Sequence, residues 1–101
     1  MTIRKEAEEN GMLELSLEGR LDTTTSKELE TALQNVSPDV STLILNFNKL
    51  NYISSAGLRV LLFTQKQMNA KQGKFILRNV CESIMEVFEL TGFDSFLTIE
   101  S

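Results

Sequence analysis

The segment Thr42-Leu43-Ile44-Leu45-Asn46-Phe47 constrains this chain most. It is nearly continuous in apolar residues and short, which marks a central strand, covered on both faces or on one face and an edge. Helical patterns flank it. Upstream, Leu29, Ala32, Leu33 and Val36 recur at helical spacing; downstream, Leu58, Leu61, Leu62 and Met68 do so, with Val60 and Phe63 widening the apolar face. Strands joined through helices pair in parallel by right-handed crossovers.

The remaining elements follow from period and punctuation. Residues 2–8 are polar and suit an edge strand, and Asn10-Gly11 is a two-residue turn signal. After it Leu13, Leu15 and Leu17 alternate with Glu14, Ser16 and Glu18, the period of a half-buried strand, so a hairpin opens the chain. Asp22-Thr23-Thr24-Thr25-Ser26 is rich in cap formers, and Thr25 with Glu28 has capping-box spacing. The second helix is predicted over about Ala56 to Gln72, with Gln65, Lys66, Gln67, Asn69 and Lys71 toward water and Gly73 as its stop. The stretch from Asn48 to Tyr52 reads as a loop leading to it. Phe75-Ile76-Leu77 is a strand. Ser83 to Leu90 is a third helix with Ile84, Val87, Phe88 and Leu90 inward and Gly92 at its end, and Ser95 to Ile99 is a last strand. The order β-β-α-β-α-β-α-β gives an α/β domain, a mixed sheet with helices packed on it, over residues 1–101.

Composition narrows the function. Histidine is absent, so no Ser-His-Asp or Cys-His set exists. The single cysteine, Cys81, closes no disulfide within the chain and reads as a small apolar residue. No metal site and no cofactor are expected. The net charge of −4 disfavours nucleic acid. No apolar run approaches the roughly 20 residues of a membrane span, and the first residues lack a signal-peptide core, which points to the cytoplasm without direct membrane insertion. Asp22 and Ser55 as base and nucleophile make a poor catalytic pair, because serine needs a base tuned to take its proton. The chain reads as a binding module, not an enzyme.

One constellation carries chemistry. Ser54-Ser55-Ala56-Gly57 stands between the buried strand with its loop and the second helix. A serine there caps the helix by accepting a bond from a first-turn amide. The same free amides and the helix dipole favour negative charge, so a phosphate on serine fits with little distortion while turning the surface anionic. Ala56 and Gly57 are small enough for a partner to approach the backbone closely. Arg59 is placed to meet a phosphate or a partner's carboxylate, or is a solvated helix residue. Asp22 is a partner contact or a cap of the first helix.

The string Tyr52-Ile53-Ser54-Ser55-Ala56-Gly57-Leu58-Arg59-Val60-Leu61-Leu62 resembles the signature of STAS domains, the family of sulphate transporters and anti-sigma-factor antagonists. Gly19-Arg20-Leu21-Asp22 resembles the family's second hallmark, Leu43 to Phe47 its central strand, and the element order its fold. The resemblance implies an anti-sigma factor antagonist, which binds an anti-sigma factor with serine kinase activity, frees the sigma factor and is switched off by phosphorylation. The family pattern, Asp-Ser-Ser/Thr-Gly-Leu, places the phosphoacceptor at Ser55, with Ser54 in the Asp position and as second choice. Ala56 holds the next hydroxyl position, and Asn46 that of an Asp near the end of the central strand. By the same resemblance the partner surface comprises Asp22, Asn48, Ser54, Ala56, Gly57 and Arg59. A phosphatase would reset the switch, and the chain would be a monomer or weak dimer. The alternative is a STAS subunit of a transport or signalling assembly without a phosphorylation cycle.

Overall fold

A computed structural model describes residues 1–100. The elements are β1 (Thr2–Glu9), β2 (Met12–Leu21), α1 (Thr25–Gln34), β3 (Thr42–Ile53), α2 (Ser55–Ala70), β4 (Lys74–Arg78), α3 (Glu82–Thr91), a single 3-10 turn (Phe93–Ser95) and β5 (Thr98–Glu100). The five strands lie in chain order in one sheet, with β1 antiparallel to β2 and every later pair parallel. Asn10 and Gly11 take φ of 52° and 82°, the left-handed pair that a tight hairpin requires.

The core lies on one face of the sheet. Leu13, Leu15 and Leu17 of β2, Leu43, Leu45 and Phe47 of β3, and Phe75 and Leu77 of β4 are buried in one cluster. Leu29 of α1, Leu58, Leu61 and Met68 of α2, and Ile84 and Phe88 of α3 join it, so all three helices cover that face. Burying each such side chain contributes about 1.5–3 kcal/mol. Of the two coverings open to β3, the helices supply one face only. Ile44 alternates to the other face, outside the cluster, in a row that reads Glu14, Ile44, Ile76 and Thr98 across the sheet. The next row on that face is polar, Ser16, Asn46 and Arg78. Arg78 pairs with Glu14 at 3.4 Å and Glu100 at 3.2 Å.

Several sequence expectations are corrected. Asn48 to Tyr52 is not a loop but the second half of β3, which stays paired with the end of β2. Two register shifts in that ladder put the buried residues Leu50 and Ile53 three apart, which hides the period of two. Gln65 is buried, its amide donating to Asn69 Oδ1 at 3.0 Å. Leu90 is not inward but 88% exposed, because Ile84 and Phe88 carry the buried stripe of α3. The last strand is shorter than expected: Phe93–Ser95 turns as a 3-10 helix, and the amide of Leu97 is spent on Phe93 O. Val36 lies beyond α1, which ends at Gln34, although it still packs against the core.

The end of α2 also differs. The helix stops at Ala70, and the left-handed residue is Gln72, at φ 59°, not Gly73. Gly73 serves close packing, since a Cβ there would lie 2.7 Å from Ser41 O and 2.8 Å from Met68 Cε. Left-handed backbone costs a residue with a side chain about 1 kcal/mol or more. Gln72→Gly is therefore expected to raise stability by roughly 0.5–1 kcal/mol in urea unfolding, after allowing for glycine's larger unfolded-state entropy. A loss would contradict this reading.

Candidate functional site

The two sequence hallmarks meet where β2 and β3 end together. Leu21 pairs with Ile53, and the amide of Ser54 donates to Leu21 O at 2.8 Å. These contacts hold the Asp22 turn close to the start of α2.

Asp22 caps α1. Its Oδ1 accepts from the amides of Thr24 at 3.0 Å and Thr25 at 2.9 Å, and from the Thr25 hydroxyl at 3.0 Å. Its carbonyl accepts from the Ser26 amide at 2.8 Å. The capping box expected of Thr25 and Glu28 does not form, because the Thr25 amide is already taken by Asp22 and the Thr25 hydroxyl points back to Arg20 O at 2.6 Å. The Thr25 amide and then its hydroxyl hold the Asp22 carboxyl below the ordinary carboxylate range, helped by the Thr24 amide and the charge of Arg20 against a smaller opposing effect of desolvation. A folded pKa below the unfolded one makes this stabilisation full at neutral pH and lost as pH falls through the folded value. Asp22→Asn keeps an acceptor at Oδ1 but loses the charge, so at neutral pH it is expected to melt between wild type and Asp22→Ala. Equal losses in thermal unfolding would show that charge, not the acceptor, holds the cap.

The two serines have different tasks. Ser54 is the cap of α2: its backbone is extended, its Oγ accepts from the Gly57 amide at 3.2 Å, and its carbonyl accepts from the Leu58 amide at 3.0 Å. Ser55 is the first helical residue, exposed, and its hydroxyl makes no hydrogen bond among the described residues. Uncommitted amides of the first turn and the positive end of the helix dipole lie beside it.

The other expected site residues divide. Ala56 is half-buried and Arg59 exposed, both on the outer side of α2, and they line one cleft with α1. Gly57 is buried and offers no contact surface. A Cβ on it would lie 2.7 Å from Leu21 Cγ and 2.9 Å from Ile53 Cγ1, so its smallness lets the helix sit on the sheet. Asn48 is not beside the helix start. It is exposed within β3, its amide donates to Asn46 Oδ1 at 2.9 Å, and it lines a polar hollow with Arg4, Glu6 and Ser16. Asn46 is the hub there: its Nδ2 donates to Glu14 Oε2 at 3.1 Å while its Oδ1 accepts from Asn79 Nδ2 at 3.1 Å. A carboxylate in its place has no proton to give Glu14, which fits an amide at this position.

Two residues near the site carry no individual role in the sequence reading. The Arg20 guanidinium lies 4.2 Å from the centre of the exposed Tyr52 ring. Only the register that aligns the ends of β2 and β3 brings them together. Nothing in either residue's local pattern announces it.

Comparison with known proteins places this geometry. A family model described as "STAS domain" matches residues 4–101. BtrV of Bordetella bronchiseptica, named as a candidate anti-sigma factor antagonist, is 36% identical over 91 residues, covering 89% of this chain and 78% of that protein. The anti-sigma-B factor antagonist of Staphylococcus aureus is 28% identical over 87 residues, covering 85% and 81%. The unphosphorylated structure of the anti-sigma factor antagonist SpoIIAA has the same fold, with a TM-score of 0.80 at 21% identity over 99% of this chain and 89% of that one. SpoIIAA of Bacillus in its phosphorylated form superposes with a TM-score of 0.76 at 22% identity, covering 99% and 92%.

Proposed function

The chain belongs to the STAS domain family, alongside its anti-sigma factor antagonists, and we propose that it works as a phosphorylation-switched antagonist of an anti-sigma factor. In its unmodified state it binds an anti-sigma factor that is also a serine kinase, and so frees a sigma factor. The kinase then phosphorylates Ser55 and the complex dissociates, until a phosphatase restores the hydroxyl.

The observation that carries this reading is the division of labour between the serines. Ser54 Oγ is engaged with the Gly57 amide, whereas Ser55 presents an exposed, unbonded hydroxyl at the positive end of α2. A phosphate on Ser55 adds nearly two negative charges where the backbone amides and dipole accept them. The fold is therefore undisturbed while the contact surface changes sign. A phosphate on Ser54 would disrupt the cap.

The test is capture of partners from the native cell with the unmodified chain as bait. The expected catch is an ATP-binding anti-sigma factor with kinase activity. Recovery of a transport ATPase with no kinase would contradict the proposal and favour a STAS subunit of a transport assembly.

A further inference from the structure

Beside Ser55, α1 and α2 leave an open groove of about 330 Å³. Ala56, Val60 and Phe63 form its apolar wall, at spacings of four and three that align them on one stripe of α2. The opposite stripe, with Leu58, Leu61 and Met68, is buried in the core, so this helix carries a second apolar face outward. Phe63 is 55% exposed. Lys27 and Glu30 of α1 and Arg59 of α2 stand around it.

The charges here are uncommitted. The ion pairs among the described residues use Lys5 and Arg78, so neither Lys27 nor Arg59 has a carboxylate of those residues within 4.0 Å. Lys27, Arg59 and Glu30 together give the groove a net charge of +1, from two cations and one anion, in a chain whose net charge is −4. An exposed aromatic ring with unpaired cations at its edge is the composition of a protein contact surface, apolar at its centre and polar at its rim.

We infer that this groove seats an acidic-apolar segment of the anti-sigma factor, one that places an apolar side chain on Phe63 and Val60 and a carboxylate between Lys27 and Arg59. The inference rests on the function proposed above and gives that switch a physical route. Ser55 precedes Arg59 by four residues and so shares its helix face. A phosphate on Ser55 competes for the Arg59 guanidinium and repels the incoming carboxylate, closing the mouth of the groove to its ligand.

The experiment uses the purified anti-sigma factor recovered from native-cell capture, titrated calorimetrically with the full chain. Phe63→Ala is expected to weaken binding at least tenfold, and Lys27→Glu with Arg59→Glu at least as much. Wild-type affinity should fall with added salt, and Lys27→Gln with Arg59→Gln should flatten that dependence. Leu90→Ala, a truncation of a more exposed apolar side chain on α3, should bind as wild type. Thermal unfolding of each variant near the wild-type temperature confirms that the fold is kept. Binding by wild type with both groove variants within twofold of it would overturn the groove while leaving the antagonist function standing. No binding by wild type would remove both. A dimer of this chain that Phe63→Ala dissolves, with partner affinity unchanged, would make a second copy the occupant and overturn the inference.

Discussion

Ser55→Asp is expected to bind the anti-sigma factor at least about 100-fold more weakly than wild type, whereas Ser55→Ala binds as tightly as the unmodified chain. The unmodified surface at the start of α2 is neutral at this position, and removing a hydroxyl that makes no hydrogen bond leaves every contact within the fold intact. Adding a charge is different. A carboxylate desolvated against a surface shaped for serine costs several kcal/mol, and about 1.4 kcal/mol is a tenfold change in affinity. The fold itself should not suffer, because an acidic group in the first turn interacts favourably with the helix dipole by some tenths of a kcal/mol. Weak binding with an unchanged or slightly raised melting temperature is the expected pair of results. Weak binding with a lowered melting temperature would mean that the substitution damages the site instead of switching it.

Gly57→Ala is expected to lower stability by about 2 kcal/mol. Alanine gains about 1 kcal/mol over glycine within a helix. Against that, its Cβ would lie 2.7 Å from Leu21 Cγ and 2.9 Å from Ile53 Cγ1, and Leu21 is fully buried with nowhere to turn. Overpacking of this kind costs typically 1–3 kcal/mol, and contact with the branch carbon of a buried leucine belongs at the upper end. The helix would have to lift from the sheet at the very turn that presents Ser55. Leu21→Ala in the Gly57→Ala background should then cost less than Leu21→Ala alone, since it vacates the space the new methyl needs. Denaturant unfolding checks both; an unchanged or raised midpoint for Gly57→Ala would refute the packing role.

These outcomes also mark what was legible in the sequence. The alternation of Leu13, Leu15 and Leu17 and the apolar run through Leu45 identify β2 and the first half of β3, because in both the side-chain period is unbroken. The second half of β3 was hidden by its register shifts. At the site, the resemblance placed Ser55 in the acceptor position, but spacing alone allowed either serine to be the cap. Only the position of the Gly57 amide decides that Ser54 holds it. Gly57 misled for a related reason: a small residue is equally suited to a partner's approach and to a buried leucine's, and the neighbour across the sheet determines which. Thr25 and Glu28 match a capping signature, yet Asp22, three residues earlier, takes the Thr25 amide together with that of Thr24. The groove and the Arg20–Tyr52 stack depend on contacts between distant segments and left no local mark.

The site of modification distinguishes a switch at Ser55 from every other reading of the two serines. The purified chain should be incubated with ATP and the anti-sigma factor captured from its own cell, then analysed by intact mass and phosphopeptide mapping. The expected result is one phosphate, on Ser55, absent from Ser55→Ala and retained in a Ser54→Gly variant. No phosphate under conditions where the two proteins bind, or a phosphate on Ser54, would contradict it.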